Sequence, residues 1–438
     1  MKNLQVLRNE IKIDLHNDFL KEIYVDESLL PYQKTRYINL LDRFQDSFGA
    51  QDVEIYSVPG RIEIIGNHTD HQRGNVMTAA INLDIIAVCA KNDQDTIEIM
   101  QEDYAPISIR LDELEKRPEE KGTTEALIRG VTSKLISNGY IVKGFKTYIA
   151  GDVSVGSGLS SSAMFEVLIG TILSGLYNDS KISMLEIAKI AQYAENVYFE
   201  KPCGLMDQTA CALGGTVHID FINARHPLVH IDYKNEANPQ INRIDFDLSA
   251  YGHSLCIVDT NSSHADLTDE YVSVPVEMKS VAQYFEKKVL ADVDENMFLD
   301  NIANIRSQTG DRAVLRAMHF FKDNKRVREQ MAVLQEGNFE KFLELVQQSG
   351  NSSFKYLQNV YSTNDIQNQG LSIGLALSEN VLGGRGASRV HGGGFAGTIL
   401  AFVPDEIVTE YKTALDKVFG KDACKVLQIR KYGGIKVF

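Results

Sequence analysis

The chain has 438 residues, enough for two or three domains. Its 45 Lys+Arg against 59 Asp+Glu leave a net charge of −14, which argues against a protein that coats nucleic acid, because phosphate backbones call for local positive charge. With 44% hydrophobic and 24% charged residues it can bury a sizeable core and is not a disordered polymer.

In chain order, residues 1–33 read as a polar leader, and 37–48 (YINLLDRFQDSF) carry the apolar spacing of a helix. A strand-rich part follows, with short β segments at 53–58, 62–65, 85–90, 96–100 and 107–110. Then come a helix over 126–136, a strand at 144–150, and helices over 164–176 and 185–199. After Gly214-Gly215, strands at 216–221 and 254–259 lead into helical stretches around 275–289, 312–335 and 340–348. A last block sets a strand near 398–402, a helix over 405–418 and a strand at 425–429. Strands and helices in segregated runs predict an α+β fold in two lobes that divide near 215–225. The five cysteines (Cys89, Cys203, Cys211, Cys256 and Cys424) are scattered and never spaced CxxC, which speaks against a disulfide framework or a zinc site. The N-terminus meets charge too early for a signal peptide, and no apolar run reaches membrane-spanning length, so the expectation is a cytoplasmic protein with no membrane partner.

Four segments carry chemistry. At 151–163, GDVSVGSGLSSSA lies between a predicted strand and a predicted helix. Glycines at 156 and 158 allow tight turning and close backbone approach, and Ser160, Ser161 and Ser162 add hydroxyls beside a helix N-terminus. That combination suits a polyphosphate, although it is neither a Walker A loop nor GxGxxG; read alone, it could equally be a glycine-serine turn capping a helix. At 57–70, SVPGRIEIIGNHTD predicts a turn at Pro59-Gly60 with Arg61 at its exit. An apolar strand through Ile62, Ile64 and Ile65 then brings Asn67, His68 and Asp70 to one loop, an arrangement suited to a hydroxyl-rich ligand. At 195–208, ENVYFEKPCGLMDQ puts Asp207 on a constrained turn after Pro202-Cys203-Gly204. There it can orient or deprotonate an alcohol if a cation keeps it ionised, and Glu195 is a candidate hard-oxygen ligand for magnesium. Either could equally be a surface charge, the usual fate of Asp and Glu. At 389–397, RVHGGGFAG sets Gly392, Gly393, Gly394 and Gly397 before an apolar strand, which points to close backbone approach to a ligand or to the other lobe.

In order and spacing these segments resemble the GHMP kinases, and within them the galactokinase family. PGRIEIIGNHTDH is similar to the family signature PGRVNLIGEHTDY, and GSGLSSSA to the phosphate loop. CGLMDQ is similar to CGIMDQ, HGGGFAG to GGGFGG, and LLDRFQDSFG to the family's N-terminal helix. The resemblance spans about residue 37 to the C-terminus and implies the two-lobed GHMP α+β fold with its active site in the inter-lobe cleft. Residues 1–33 would be the leader, 34–218 the N-terminal lobe with the phosphate loop at 156–163, and 219–438 the C-terminal lobe. The implied reaction moves the γ-phosphoryl group of ATP, with Mg2+, to the C1 hydroxyl of galactose, in a monomer or weak homodimer with no nucleic-acid partner.

Residue by residue, the resemblance makes Asp207 the catalytic carboxylate and Arg61 the cation that keeps it ionised. It makes Gly156, Ser157, Gly158, Leu159, Ser160, Ser161 and Ser162 the ATP cradle, and Ser162 and Glu195 the magnesium ligands. Asn67, His68, Asp70, Gly204 and Tyr271 become the sugar contacts. Because phosphoryl transfer passes through a loose transition state, positioning and electrostatics dominate. The chain departs from the family at Asn67, where galactokinases have Glu facing the sugar C6, and at His71-Gln72, which replace Tyr-Asn. The family's two arginines after Tyr271 are missing, Ala396 stands for a glycine and His391 for a threonine. A sugar bearing a C6 carboxylate would be repelled by the family Glu by roughly 4 kcal/mol at about 4 Å and an effective dielectric of about 20, and Asn67 removes that penalty. The galacturonic acid kinases, a related branch, resemble the chain here. Galacturonate is therefore an alternative substrate to galactose. A non-catalytic sugar- and ATP-sensing regulator is the alternative from another class, against which the intact GLSSSA speaks.

Overall fold

A computed structural model describes residues 1–153, 158–222, 238–262 and 267–438. Among them the strands are Lys2–Asn3 (β1), Asp52–Ile65 (β2), Asn75–Lys91 (β3), Thr96–Gln101 (β4), Ile107–Arg110 (β5), Phe145–Gly151 (β6) and Thr216–Asp220 (β7). They continue with Gln240–Ile244 (β8), His253–Asp259 (β9), Ala387–Val390 (β10), Thr398–Pro404 (β11), Cys424–Leu427 (β12) and Ile435–Lys436 (β13). One sheet has nine strands, running β1-β2-β3-β6-β4-β5, with β13 also on β2 and β7-β8 on β3. The other is a four-stranded antiparallel sheet in the order β10-β11-β9-β12.

The long strand β3 positions the site. Its C-terminal half pairs with β6, whose end leads into the phosphate-loop segment, from Lys91↔Phe145 to Ile85↔Gly151. Its N-terminal half pairs with β7, the strand that follows the Asp207 helix, from Asn75↔Asp220 to Ala79↔Thr216. From Met77 to Cys89 β3 also pairs with β2, which carries Arg61. The predicted strands 53–58 and 62–65 are thus one element. The turn expected at Pro59-Gly60 is instead a register shift within the paired strands, where pairing jumps from Pro59↔Asp84 to Arg61↔Ala80 and the extra residues lie on β3, opposite Gly60. Such an irregularity adds local twist to the paired strands, and Arg61 is the first residue of β2 to pair beyond it.

The expected polar leader is also corrected. Residues Leu4–Lys12 and Asn17–Tyr24 are helices, and Leu4, Leu7, Ile11, Leu20, Ile23 and Tyr24 are buried against Val53, Ile55, Ile86 and Val88 of β2 and β3. Their buried apolar residues recur at helical spacing on one face, while charged residues such as Lys12, Asp18 and Glu22 lie exposed. Beyond the expected lobe boundary at 218/219 the chain does not stay in one sheet, since β8 and β13 both return to the nine-stranded sheet. A shared core joins the two sheets, with Ile62, Ile64, Met77 and Ile81 facing Leu255, Ile257, Leu400 and Phe402. Burying each such side chain contributes about 1.5–3 kcal/mol.

Most helices lie where periodicity predicts them, including Thr124–Ser137, Ser161–Tyr177, Asp311–Gln335 and Phe339–Ser352. The helix expected over 185–199 divides into an α-helix, Met184–Tyr193, and a wider π-helical turn, Ala194–Phe199, which carries Glu195. All five cysteines are free thiols. Among the described residues no helix is long and apolar enough to cross a membrane.

Candidate active site

Just past the register shift between β2 and β3, Arg61 reaches the first turn of the helix Met206–Leu213, where Asp207 sits. The guanidinium grips the carboxylate with both arms, Nε to Oδ1 at 2.7 Å and Nη2 to Oδ2 at 2.9 Å. Its remaining nitrogen, Nη1, donates to the Gly158 carbonyl at 2.7 Å, so the same side chain pins the phosphate-loop segment. Ser160 Oγ donates to Asp207 Oδ2 at 2.6 Å. Burial alone would push the Asp207 carboxyl up, but the Arg61 charge and fork, with the Ser160 hydroxyl, outweigh it and hold the group down at about 2. Arg61 is buried, whereas the Asp207 side chain keeps 32% of its surface open to a ligand.

One turn further, Ser162 Oγ donates to Glu195 Oε1 at 2.9 Å. Gln208 Nε2 holds the other oxygen, Oε2, at 2.7 Å, and Lys201 Nζ lies 2.9 Å from Oε1. A hydroxyl and a buried carboxylate side by side are hard-oxygen donors that suit magnesium, which takes few protein ligands and completes its shell with water and phosphate oxygens. Among the described residues no cluster of three His, Cys, Asp or Glu side chains could hold a metal, so a bound ion here would depend on such outside oxygens. Of the predicted ATP cradle, Gly158, Leu159, Ser160, Ser161 and Ser162 are described, while Gly156 and Ser157 lie outside the described residues. Leu159 is 3% exposed and belongs to the shared core. Ser160, assigned from sequence to the phosphates, faces Asp207.

The predicted sugar contacts fall on the other side of Asp207. Asp70 packs on Gly204 so tightly that a Cβ there would stand 1.7 Å from Asp70 Oδ2, which explains the glycine. The Asp70 carboxyl accepts from the His71 backbone N–H at 2.8 Å. It is nevertheless pushed up to about 7, first by burial and then by the Asp207 charge. His68 Nε2 donates to the Gly393 carbonyl at 3.0 Å, and burial holds its ring neutral, down at about 4. The Tyr271 hydroxyl donates to the Gly394 carbonyl at 3.0 Å. The glycine-rich segment therefore lashes His68 and Tyr271 together. Its close approach is to protein, since a Cβ on Gly394 would stand 2.0 Å from the Asn359 carbonyl.

Asn67 does not join them. It is 0% exposed, and its amide donates to the Gly392 carbonyl at 2.7 Å and to Glu63 Oε2 at 3.2 Å. Its oxygen accepts from Asn359 Nδ2 at 2.8 Å and Ser353 Oγ at 3.3 Å. With two donors and two acceptor sites all engaged, nothing remains for a sugar, so the expectation that residue 67 faces C6 is corrected. Lys201, Gln208 and Glu63 are the polar residues of this region that sequence reasoning passed over. The available signal for Lys201 was its place between Glu195 and Asp207.

A family model described as the galactokinase galactose-binding signature matches residues 42–91, and one for the GHMP kinases N terminal domain matches 126–215. The chain is 32% identical over 374 residues to a galactokinase of Mannheimia succiniciproducens, covering 84% of this chain and 90% of that one. It is 30% identical over 385 residues to a galactokinase of Glaesserella parasuis, covering 86% and 92%. Its fold is similar to the crystal structure of Lactococcus lactis galactokinase complexed with galactose, at a TM-score of 0.76, 24% identity and 90% and 98% coverage. It is also similar to Methanococcus jannaschii mevalonate kinase, at a TM-score of 0.59, 16% identity and 86% and 98% coverage.

Proposed function

The chain belongs to the galactokinase family of ATP-dependent sugar kinases, and we propose that it transfers the γ-phosphoryl group to the C1 hydroxyl of D-galactose through Asp207 and Arg61. The observation that carries this reading is the two-armed Arg61–Asp207 pair set against Gly158 and Ser160. An ionised carboxylate of low pKa is a weak base, but a loose transition state asks for little proton removal before the phosphorus–oxygen bonds change. Asp207 accordingly orients the C1 hydroxyl and receives its proton late. The new O–P bond forms as the bond from the γ-phosphorus to the bridging oxygen breaks, with the electron pair leaving on ADP. Arg61 keeps Asp207 ionised and offsets charge on the transferring group. Asp70, His68, Gly204 and Tyr271 hold the sugar, and Gly156–Ser162 the nucleotide. Magnesium, held by Ser162 and Glu195, would neutralise charge on the phosphate oxygens.

Galacturonate gains no support, because Asn67 is committed to the protein's own hydrogen bonds. The test is ATP-dependent phosphorylation of galactose and galacturonate side by side on purified protein. Galactose 1-phosphate formation with much the higher kcat/KM is expected. Preference for galacturonate, or ATP binding without turnover of any hexose, overturns the reading.

A further inference from the structure

Lys201 stands where the phosphate end of this site needs charge, on a backbone built to hold it there. Glu200 takes a left-handed conformation, φ 62°, that folds the chain back so that the Lys201 N–H donates to the Glu195 carbonyl at 3.1 Å. Ion pairs from Glu200 to Lys116, at 2.5 Å, and to Lys121, at 3.1 Å, brace that turn. On the far side the Cys203 N–H donates to Asn196 Oδ1 at 2.8 Å. The backbone is thus pinned at both ends, while the Lys201 side chain remains 60% exposed beside its Glu195 partner.

Its ammonium rests on Glu195 Oε1, the oxygen that Ser162 Oγ also contacts, so ammonium and hydroxyl are at most two hydrogen-bond lengths apart. Ser162 lies in the first turn of the helix Ser161–Tyr177, whose unpaired N–H groups favour an anion. Arg61, by contrast, is committed, with Nε and Nη2 on Asp207 and Nη1 on Gly158. A terminal phosphate entering beside two carboxylates, Asp207 and Glu195, meets repulsion that a committed Arg61 offsets only in part. An ammonium on a flexible stem can leave Glu195 for that phosphate as a point charge.

We propose that Lys201 is a second phosphate-directed cation of this active site, parked on Glu195 in the nucleotide-free protein and ion-paired with the terminal phosphate when ATP is bound. The proposal rests on the kinase reading for the identity of the ligand. It is tested by calorimetric binding of AMP-PNP and of ADP in EDTA, with wild type, Lys201→Met and Lys201→Arg, together with kcat and KM on galactose. Lys201→Met is expected to weaken metal-free AMP-PNP binding about tenfold while leaving ADP within about twofold, and Lys201→Arg to retain most of the affinity. The kcat of Lys201→Met should fall by about ten- to a hundredfold with the sugar KM nearly unchanged. AMP-PNP affinity within about twofold of wild type, or equal losses for AMP-PNP and ADP, overturns the proposal and leaves Lys201 a counter-ion of Glu195. The binding arm needs no turnover. A protein that ignores galactose yet holds AMP-PNP through Lys201 refutes the sugar assignment alone, and galactose turnover unchanged in Lys201→Met refutes the cation alone.

Discussion

Asp70 and Asp207 are neighbouring carboxyls whose surroundings push them in opposite directions. Asp207 has the Arg61 fork and is held at about 2, whereas Asp70 has burial and the Asp207 charge and is raised to about 7. An ionised Asp70 accepts hydrogen bonds from sugar hydroxyls through both oxygens, and the protonated acid has fewer acceptor sites to offer. The sugar KM is therefore expected to fall about tenfold between pH 6 and pH 8, as Asp70 loses its proton. Over the same range kcat should not follow Asp207, which stays ionised throughout. Initial-rate kinetics at saturating ATP decide this, with Asp70→Asn as the control that should flatten the KM profile. A KM independent of pH in the wild type would show that Asp70 is already ionised or does not meet the sugar. At this scale the sequence announced which residues would meet, because PGR and CGLMDQ are local patterns. Their division of protonation states was hidden, since it depends on burial that only the packed structure supplies.

Among the elements, the first two helices show how composition can mislead. Lys2, Asn3, Lys12, Asp14, Asp18, Glu22 and Glu27 are exposed, and the segment reads as polar, yet Leu4, Leu7 and Ile11 recur at helical spacing and are fully buried. Leu7 is 0% exposed and Val6, its neighbour, 48%. Leu7→Ala should cost about 2–4 kcal/mol in a urea melt, through lost burial and the cavity left behind. Val6→Ala should stay within about 0.5 kcal/mol. Equal, small effects from both would mean that this layer is a loosely attached leader after all. The register shift beside Pro59-Gly60 was hidden for a related reason. Pro59-Gly60 carries the residues of a turn, but the strand continues across it because β3 offers partners on both sides, and tertiary pairing overrides the local signal.

Across the whole molecule, Asn67 is a junction between the sheets. Through it the end of β2 meets the Gly392 carbonyl between β10 and β11, while Ser353 and Asn359 approach from the helical side. The Asn67 carbonyl accepts from His319 Nε2 of the helix Asp311–Gln335 at 2.8 Å. Glu63, which receives the Asn67 amide, also pairs with the buried Arg389 of β10 at 2.8 Å. Burial raises the Glu63 carboxyl against the pull of Arg389 and Arg61, so this knot has no spare positive charge for a second carboxylate. Restoring the family residue with Asn67→Glu would replace a donor by an acceptor beside Glu63, breaking two hydrogen bonds and confining two carboxyls without water. The expected outcome is a loss of about 3 kcal/mol or more and a fall in Tm of roughly 5 °C, with the preference for galactose over galacturonate unchanged. Thermal melts and paired sugar kinetics on the variant separate the two views of this residue. Wild-type stability with a reversed sugar preference would make residue 67 the C6 selector that its place in the signature implies. The signature could not reveal this difference, because a motif fixes where a side chain starts and the partners from residues 319, 353, 359 and 392 fix where it ends.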